Sequence, residues 1–140
     1  HGARATAANS SASGQGAAAT GDDSTATGQA AQATGTQSTA TGVAATATGN
    51  GATANGRGAN ASGLQSTAVG AASVAAGENG TALGRGANAS AANSVALGAG
   101  PTNTRANTGS VGSASGEPQN PNDAAGTQRT DAVNFGQFTD

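Results

Sequence analysis

The chain has 140 residues and a net charge of −2, from five Arg and seven carboxylates with no Lys. Thirty-seven of its residues are Ala, only six Val, three Leu and two Phe are larger and apolar, and Trp, Tyr, Met and Cys are absent. This excludes a conventional apolar core, a disulfide framework or thiolate metal site, a basic nucleic-acid or membrane patch and a transmembrane helix of ~20 apolar residues.

Such a composition taken alone signals disorder, but the order of the residues contradicts it. Gly recurs every seventh residue from Gly14 to Gly84 and again at Gly98, with Ala91 the one break. Ala stands two residues before each of these positions, from Ala12 to Ala96, and two residues earlier again lies Ser, Ala or Gly, as at Ser24, Ser38, Ser66 and Ser94. Ala is one residue in four, so thirteen such coincidences arise by chance with a probability on the order of 10⁻⁸. A coiled coil is excluded because its seam needs large aliphatics at two heptad positions. Collagen needs Gly at every third residue, and calcium-binding rolls need period nine with an Asp in each repeat.

Short strands fit the unit small-x-Ala-x-Gly-x-x. Alternation places the small residue and the Ala on one face and the x residues on the other, and Gly-x-x is turn chemistry. Two heptads close a flattened coil of 14 residues, and coils stack ~4.8 Å apart through parallel hydrogen bonds. The expected fold is therefore all-β: a parallel β-roll of seven coils over residues 1–98, with two short strands per coil. Its interior is Ala, as at Ala26, Ala40, Ala54, Ala68, Ala82 and Ala96. Gly28, Gly42, Gly56, Gly70, Gly84 and Gly98 are its turn glycines. The true period is fourteen because Val69, Leu83 and Leu97 recur at that interval and GRGANAS recurs at Gly56 and Gly84. Those aliphatics form an outward ladder, joined by Val95, while Val74 falls on the opposite sheet. The first four coils put Ser, Thr or Asn where the later ones put Val or Leu. An Ala-filled roll buries little area against the ordering entropy of its backbone, and repeat folds need neighbours and caps, so the ladder is expected to pack in an oligomer.

Residues 99–123 read as an irregular, Asn- and Gly-rich connector, since Pro118 and Pro121 exclude regular strand nearby. From Thr130 or Asp131 an N-cap can start a helix, with Ala132, Phe135 and Phe138 at three-residue spacing. The interface expected between copies comprises Val69, Leu83, Val95 and Leu97 on the roll and Val133, Phe135 and Phe138 beyond it.

No catalytic, cofactor or metal site is expected. The single His is His1. Asp22-Asp23 sits at a corner with no third ligand in adjacent coils. Gly14-Gln15-Gly16 and Gly56-Arg57-Gly58 lack the following helix that a phosphate loop requires. Arg57 and Arg85 fall two coils apart on one edge, suited to an acidic ligand or simply to solvent. Asn9, Asn60, Asn79 and Asn88 match the N-glycosylation pattern. Thr25/Thr27, Thr39/Thr41 and Thr46/Thr48 are Thr-x-Thr pairs, the first two one coil apart, as an ice-binding solenoid would need, but Thr53 and Asn55 break that array.

The stretch NSVALG, Asn93 to Gly98, with its copies through STATG and NASG, resembles the head repeat of YadA-like trimeric autotransporter adhesins. AAGTQRTDAVNFGQF, Ala124 to Phe138, is similar to that family's neck. The resemblance implies a left-handed roll, three parallel chains, and a division into a head over 1–98, a connector over 99–123, and a neck with the start of a coiled-coil stalk over 124–140. It implies a bacterial surface protein anchored in the outer membrane by segments outside this stretch. It also implies attachment, without catalysis or cofactor, to host matrix proteins or cell-surface receptors. A purely structural spacer presenting other binding domains is the alternative function.

Overall fold

Small residues at every second position favour strand over helix here because their close packing needs no large side chain, only backbone pairing. In the computed structural model, which describes residues 2–139, the first eight strands are β1 (Arg4–Ala5), β2 (Ser11–Ser13), β3 (Ala18–Ala19), β4 (Thr25–Thr27), β5 (Gln32–Ala33), β6 (Thr39–Thr41), β7 (Thr46–Ala47) and β8 (Thr53–Asn55). They are followed by β9 (Asn60–Ala61), β10 (Thr67–Val69), β11 (Val74–Ala75), β12 (Thr81–Leu83), β13 (Asn88–Ala89), β14 (Val95–Leu97), β15 (Thr102–Asn103), β16 (Gly109–Val111) and one helix, α1 (Phe135–Thr139). His1 lies outside the described residues, as does the last residue of the stretch 124–140.

The odd-numbered strands form one eight-stranded sheet and the even-numbered strands the other, each strand pairing in parallel with the one two places on. Register advances by fourteen throughout, as in Ala26↔Ala40, Ala40↔Ala54 and Ala82↔Ala96. Each coil is thus one strand in each sheet, and eight coils span roughly 38 Å at ~4.8 Å apiece. The space between the sheets is filled by methyls: eighteen Ala side chains form the core, and all six expected interior Ala are fully buried. Ser24, Ser38, Ser66, Ser73 and Ser94 share that interior. The hydroxyls of Ser73 and Ser94 donate to the carbonyls of Gly70 and Ala91 at 2.8 and 2.7 Å, three residues back.

The roll is one coil longer than expected. β15 and β16 lie within the stretch 99–123 read as irregular, and Gly109, Ser110 and Val111 pair with Val95, Ala96 and Leu97. The pattern hides this coil because different residues hold its inner positions. Pro101 is fully buried where earlier coils have Ala or Ser, and Asn103 is 5% exposed in register with Ala89. The Asn103 amide donates to the carbonyls of Thr108 and Val95 at 2.7 and 3.1 Å, and its oxygen accepts from the Thr108 hydroxyl at 2.8 Å. A polar side chain thereby closes the open end of an apolar interior without leaving its own groups unpaired. The next inner position in step with Ala89 and Asn103 falls on Glu117, whose carboxylate cannot enter such an interior, and the stack ends.

The two corners of a coil differ. After each even strand the Gly itself has positive φ, from 81° at Gly112 to 140° at Gly56. After odd strands, Gly21, Gly35, Gly49, Gly63 and Gly77 keep ordinary φ and are needed for a different reason: a Cβ there would strike the carbonyl of the corner one coil on. In both corners the residue two places after the Gly is left-handed, whether it is Ala30, Ala44, Asp23 or Gln37. Positive φ at the Gly itself thus belongs to one kind of corner, the kind that holds Gly28, Gly42, Gly56, Gly70, Gly84 and Gly98.

The helix also starts later than expected. Asn134, not Thr130 or Asp131, is its N-cap. The Gln137 N–H donates to Asn134 Oδ1 at 3.0 Å while the Asn134 N–H donates to Gln137 Oε1 at 3.2 Å, a reciprocal capping box. Asp131 instead closes the preceding turn, accepting from the Thr127 and Gln128 N–H groups at 2.9 Å each.

Candidate interaction surface

Outward side chains on the even sheet fall into two columns. In the column at the end of each strand, Ser13, Thr27, Thr41 and Asn55 occupy the first four coils. Val69, Leu83, Leu97 and Val111 occupy the last four, each in register with the next. Val69 and Leu83 are half-buried by their neighbours in the stack, whereas Leu97 and Val111 remain 46% and 42% exposed. The column at the start of each strand carries Thr in five successive coils, from Thr25 to Thr81, and then Val95. No charged residue stands among the outward positions of this sheet.

The odd sheet is different. Val74 is its one large outward aliphatic, set between Asn60 and Asn88, so the expectation that Val74 faces away from the ladder holds. The corners carry the remaining polar features. Asn79 Nδ2 donates to Asn93 Oδ1 at 3.1 Å and Asn93 Nδ2 to Asn107 Oδ1 at 2.9 Å, an amide ladder across three coils. Asp22 and Asp23 are engaged with the previous coil: Asp22 Oδ1 accepts from the Ala8 N–H at 3.2 Å and Asp23 Oδ1 from Asn9 Nδ2 at 3.0 Å. Arg57 and Arg85 are exposed on one edge with Ala71 between them. Among the described residues no three His, Cys, Asp or Glu side chains gather as a metal site would need, and there is no pocket. No helix among them is long and apolar enough to cross a membrane.

Beyond the roll, Val133, Phe135 and Phe138 are 65%, 82% and 84% exposed. Gln137 ties α1 to the preceding loop, its side chain accepting from the Gly126 N–H at 2.8 Å and donating to the Gly126 carbonyl at 2.9 Å. Asp131 carries a carboxyl held below the usual range, chiefly by the Thr127 amide and then by that of Gln128.

Sequence reading found the ladder from Val69 to Leu97 but missed its last rung, Val111, because Pro101 and Asn103 masked the eighth coil. It also missed the length of the Thr column. A fourteen-residue spacing of Thr39, Thr53, Thr67 and Thr81 is plain in the sequence, but the search for Thr-x-Thr pairs passed over single columns.

A solenoid that repeats one unit per coil is recognised by its period. The model of the YadA head domain repeat matches six overlapping windows, residues 5–31, 19–45, 33–59, 47–73, 61–87 and 75–100, each begun fourteen residues or one coil after the last. The chain belongs to the YadA head family. A solved structure similar to this YadA-family head is the collagen-binding domain of the Yersinia adhesin YadA, with a TM-score of 0.87 and 34% sequence identity, covering 94% of this chain and 74% of that one. No curated protein sequence matches the chain. The resemblance expected from the stretch Asn93 to Gly98 holds, and so does the all-β parallel roll with 14 residues per coil. The family repeat stops matching at residue 100, where Pro101 opens the coil that closes the roll.

Proposed function

We propose that this YadA-family head is the surface-exposed part of a bacterial trimeric adhesin. Three copies run in parallel, packed through the even sheet and through Val133, Phe135 and Phe138, and hold to an extracellular matrix protein without catalysis or cofactor. The observation that carries the reading is the likeness over 94% of the chain to a domain described as collagen-binding. The register of Val69, Leu83, Leu97 and Val111 supports the assembly: four aliphatic rungs in line on one neutral face meet their own copies without repulsion. The odd sheet, left outside by that packing, presents mainly hydroxyls and amides, among them Gln32, Thr46, Asn60, Asn88 and Thr102; each makes a weak contact, so attachment relies on their repetition over coils and over three chains, where avidity replaces a pocket. The fragment reaches the cell through segments beyond it that anchor the chain in the outer membrane.

Light scattering of the wild-type chain should give a mass three times 12.7 kDa, and immobilised collagen should retain it. Leu83→Asp, which places an unpaired charge in the seam, should give the single-chain mass at micromolar concentration and lose most of that retention. A Leu83→Asp protein that is still trimeric overturns the interface. A trimer that passes over collagen and other matrix proteins unretained overturns the adhesive reading.

A further inference from the structure

One column of the even face changes character half-way along the roll, and resting on the trimeric reading above we infer that the three chains are clamped only along the last four coils. The first four form a water-filled seam that opens while the trimer stays whole.

The change falls within a single column. From Val69 to Val111 each rung is aliphatic, and copies related by a three-fold axis bring the same rungs together, excluding water from a continuous strip. From Ser13 to Asn55 each rung is a hydroxyl or amide on the same sheet at the same spacing. Drying such a seam would leave hydroxyls facing hydroxyls at a distance and angle set by the aliphatic half, not by hydrogen-bond geometry, and an unmade buried bond is costly. Bridging water satisfies the same groups at small entropic cost. The exposure of Thr25, Thr27 and Asn55 in the single chain leaves them open to that water. The roll itself carries the two halves as one body, because inner Ala and parallel pairing run unbroken from β4 through β14. Opening is therefore a gradual flexing of each roll away from its neighbours toward the N-terminal end, while the strip at Val69–Val111 stays closed. Phe135 and Phe138 lie beyond that same closed end in the chain and add apolar contact there.

The absence of cysteine makes the test clean. Thr27→Cys and Leu97→Cys are made as single variants of the whole chain and exposed to a charged, water-soluble maleimide, with mass measured before and after. In species of trimer mass, Thr27→Cys should react about ten-fold faster or more, the contrast expected between a wet seam and a closed one. Equal rates at the two positions in a trimer, fast or slow, overturn the inference. A wild-type chain of single mass overturns the trimeric reading instead. Thr41→Asp should keep the trimer at micromolar concentration while Leu97→Asp loses it. If both lose it with the β-rich circular dichroism spectrum intact, the first four coils are part of the clamp and the inference falls. If Leu97→Asp does not fold, the labelling pair still decides.

Discussion

At Gly35 the corner of one coil approaches the next so closely that a Cβ would run into the Gly49 carbonyl oxygen, whereas at Gly58, with φ 67°, nothing lies within 4 Å. The two glycines thus serve by different physics, one by lacking volume and the other by tolerating a left-handed backbone. Gly35→Ala should destabilise the roll by about 3–5 kcal/mol, the upper end for single substitutions, and Gly58→Ala by about 1 kcal/mol. Urea midpoints followed by circular dichroism compare them. Ala91 departs from the corner glycines in its backbone pairing. Gly77 N–H reaches Ala89 O at 3.2 Å, but Ala91, the one residue to break the Gly series, makes no corresponding bond to Asn103 among the described residues. Asp131 supplies a pH dependence. Its carboxyl titrates lower when folded than unfolded, so its contribution to the 127–131 turn is present above the unfolded value of about 3.9 and fades as pH falls through the folded one. The amide resonances of Thr127 and Gln128 should shift together below about pH 4, and Asp131→Asn should remove that step.

Among the elements, the last coil and the helix are the ones held by side chains. Asn103 closes the interior with hydrogen bonds to Val95, Thr108 and Arg105. Asn103→Ala restores the residue the repeat would place there, yet it should cost about 1–3 kcal/mol, because part-buried carbonyls at the end of the stack lose their donor. Hydrogen exchange should then quicken at β15 and β16 and leave β4 to β12 unchanged. Helix α1 has only five residues, too few to persist by propensity, and it depends on its Asn134–Gln137 box and on the grip of Gln137 on Gly126.

For the whole molecule the coil is the unit of length. Removing fourteen residues, 36–49, should leave a folded roll about 4.8 Å shorter, its aliphatic rungs still aligned. Removing seven, 43–49, takes out Ala45 and Ala47 and leaves the remaining inner residues in step, but it moves all later strands to the other sheet, so that Leu83 and Leu97 no longer continue the Thr27–Thr41 column. The shorter deletion should therefore cost more than the longer in both thermal midpoint and trimer mass.

The repeat determined the architecture unaided. Methyl-sized residues at alternate positions and Gly every seventh can stack only as thin parallel coils, so the inner Ala column, the fourteen-residue period and the ladder from Val69 to Leu97 were legible before any coordinates. Tertiary structure decided what depends on distance between coils rather than on spacing along the chain. The eighth coil stands because Pro101 fills, and Asn103 both fills and satisfies, an interior that the pattern reserved for Ala. Half the corner glycines are required by the carbonyl of the next coil, not by their own φ. The helix starts after Asn134 because Gln137 reaches back to it, a spacing present in the residue order, while the tie from Gln137 to Gly126 is a closure that only the folded geometry decides.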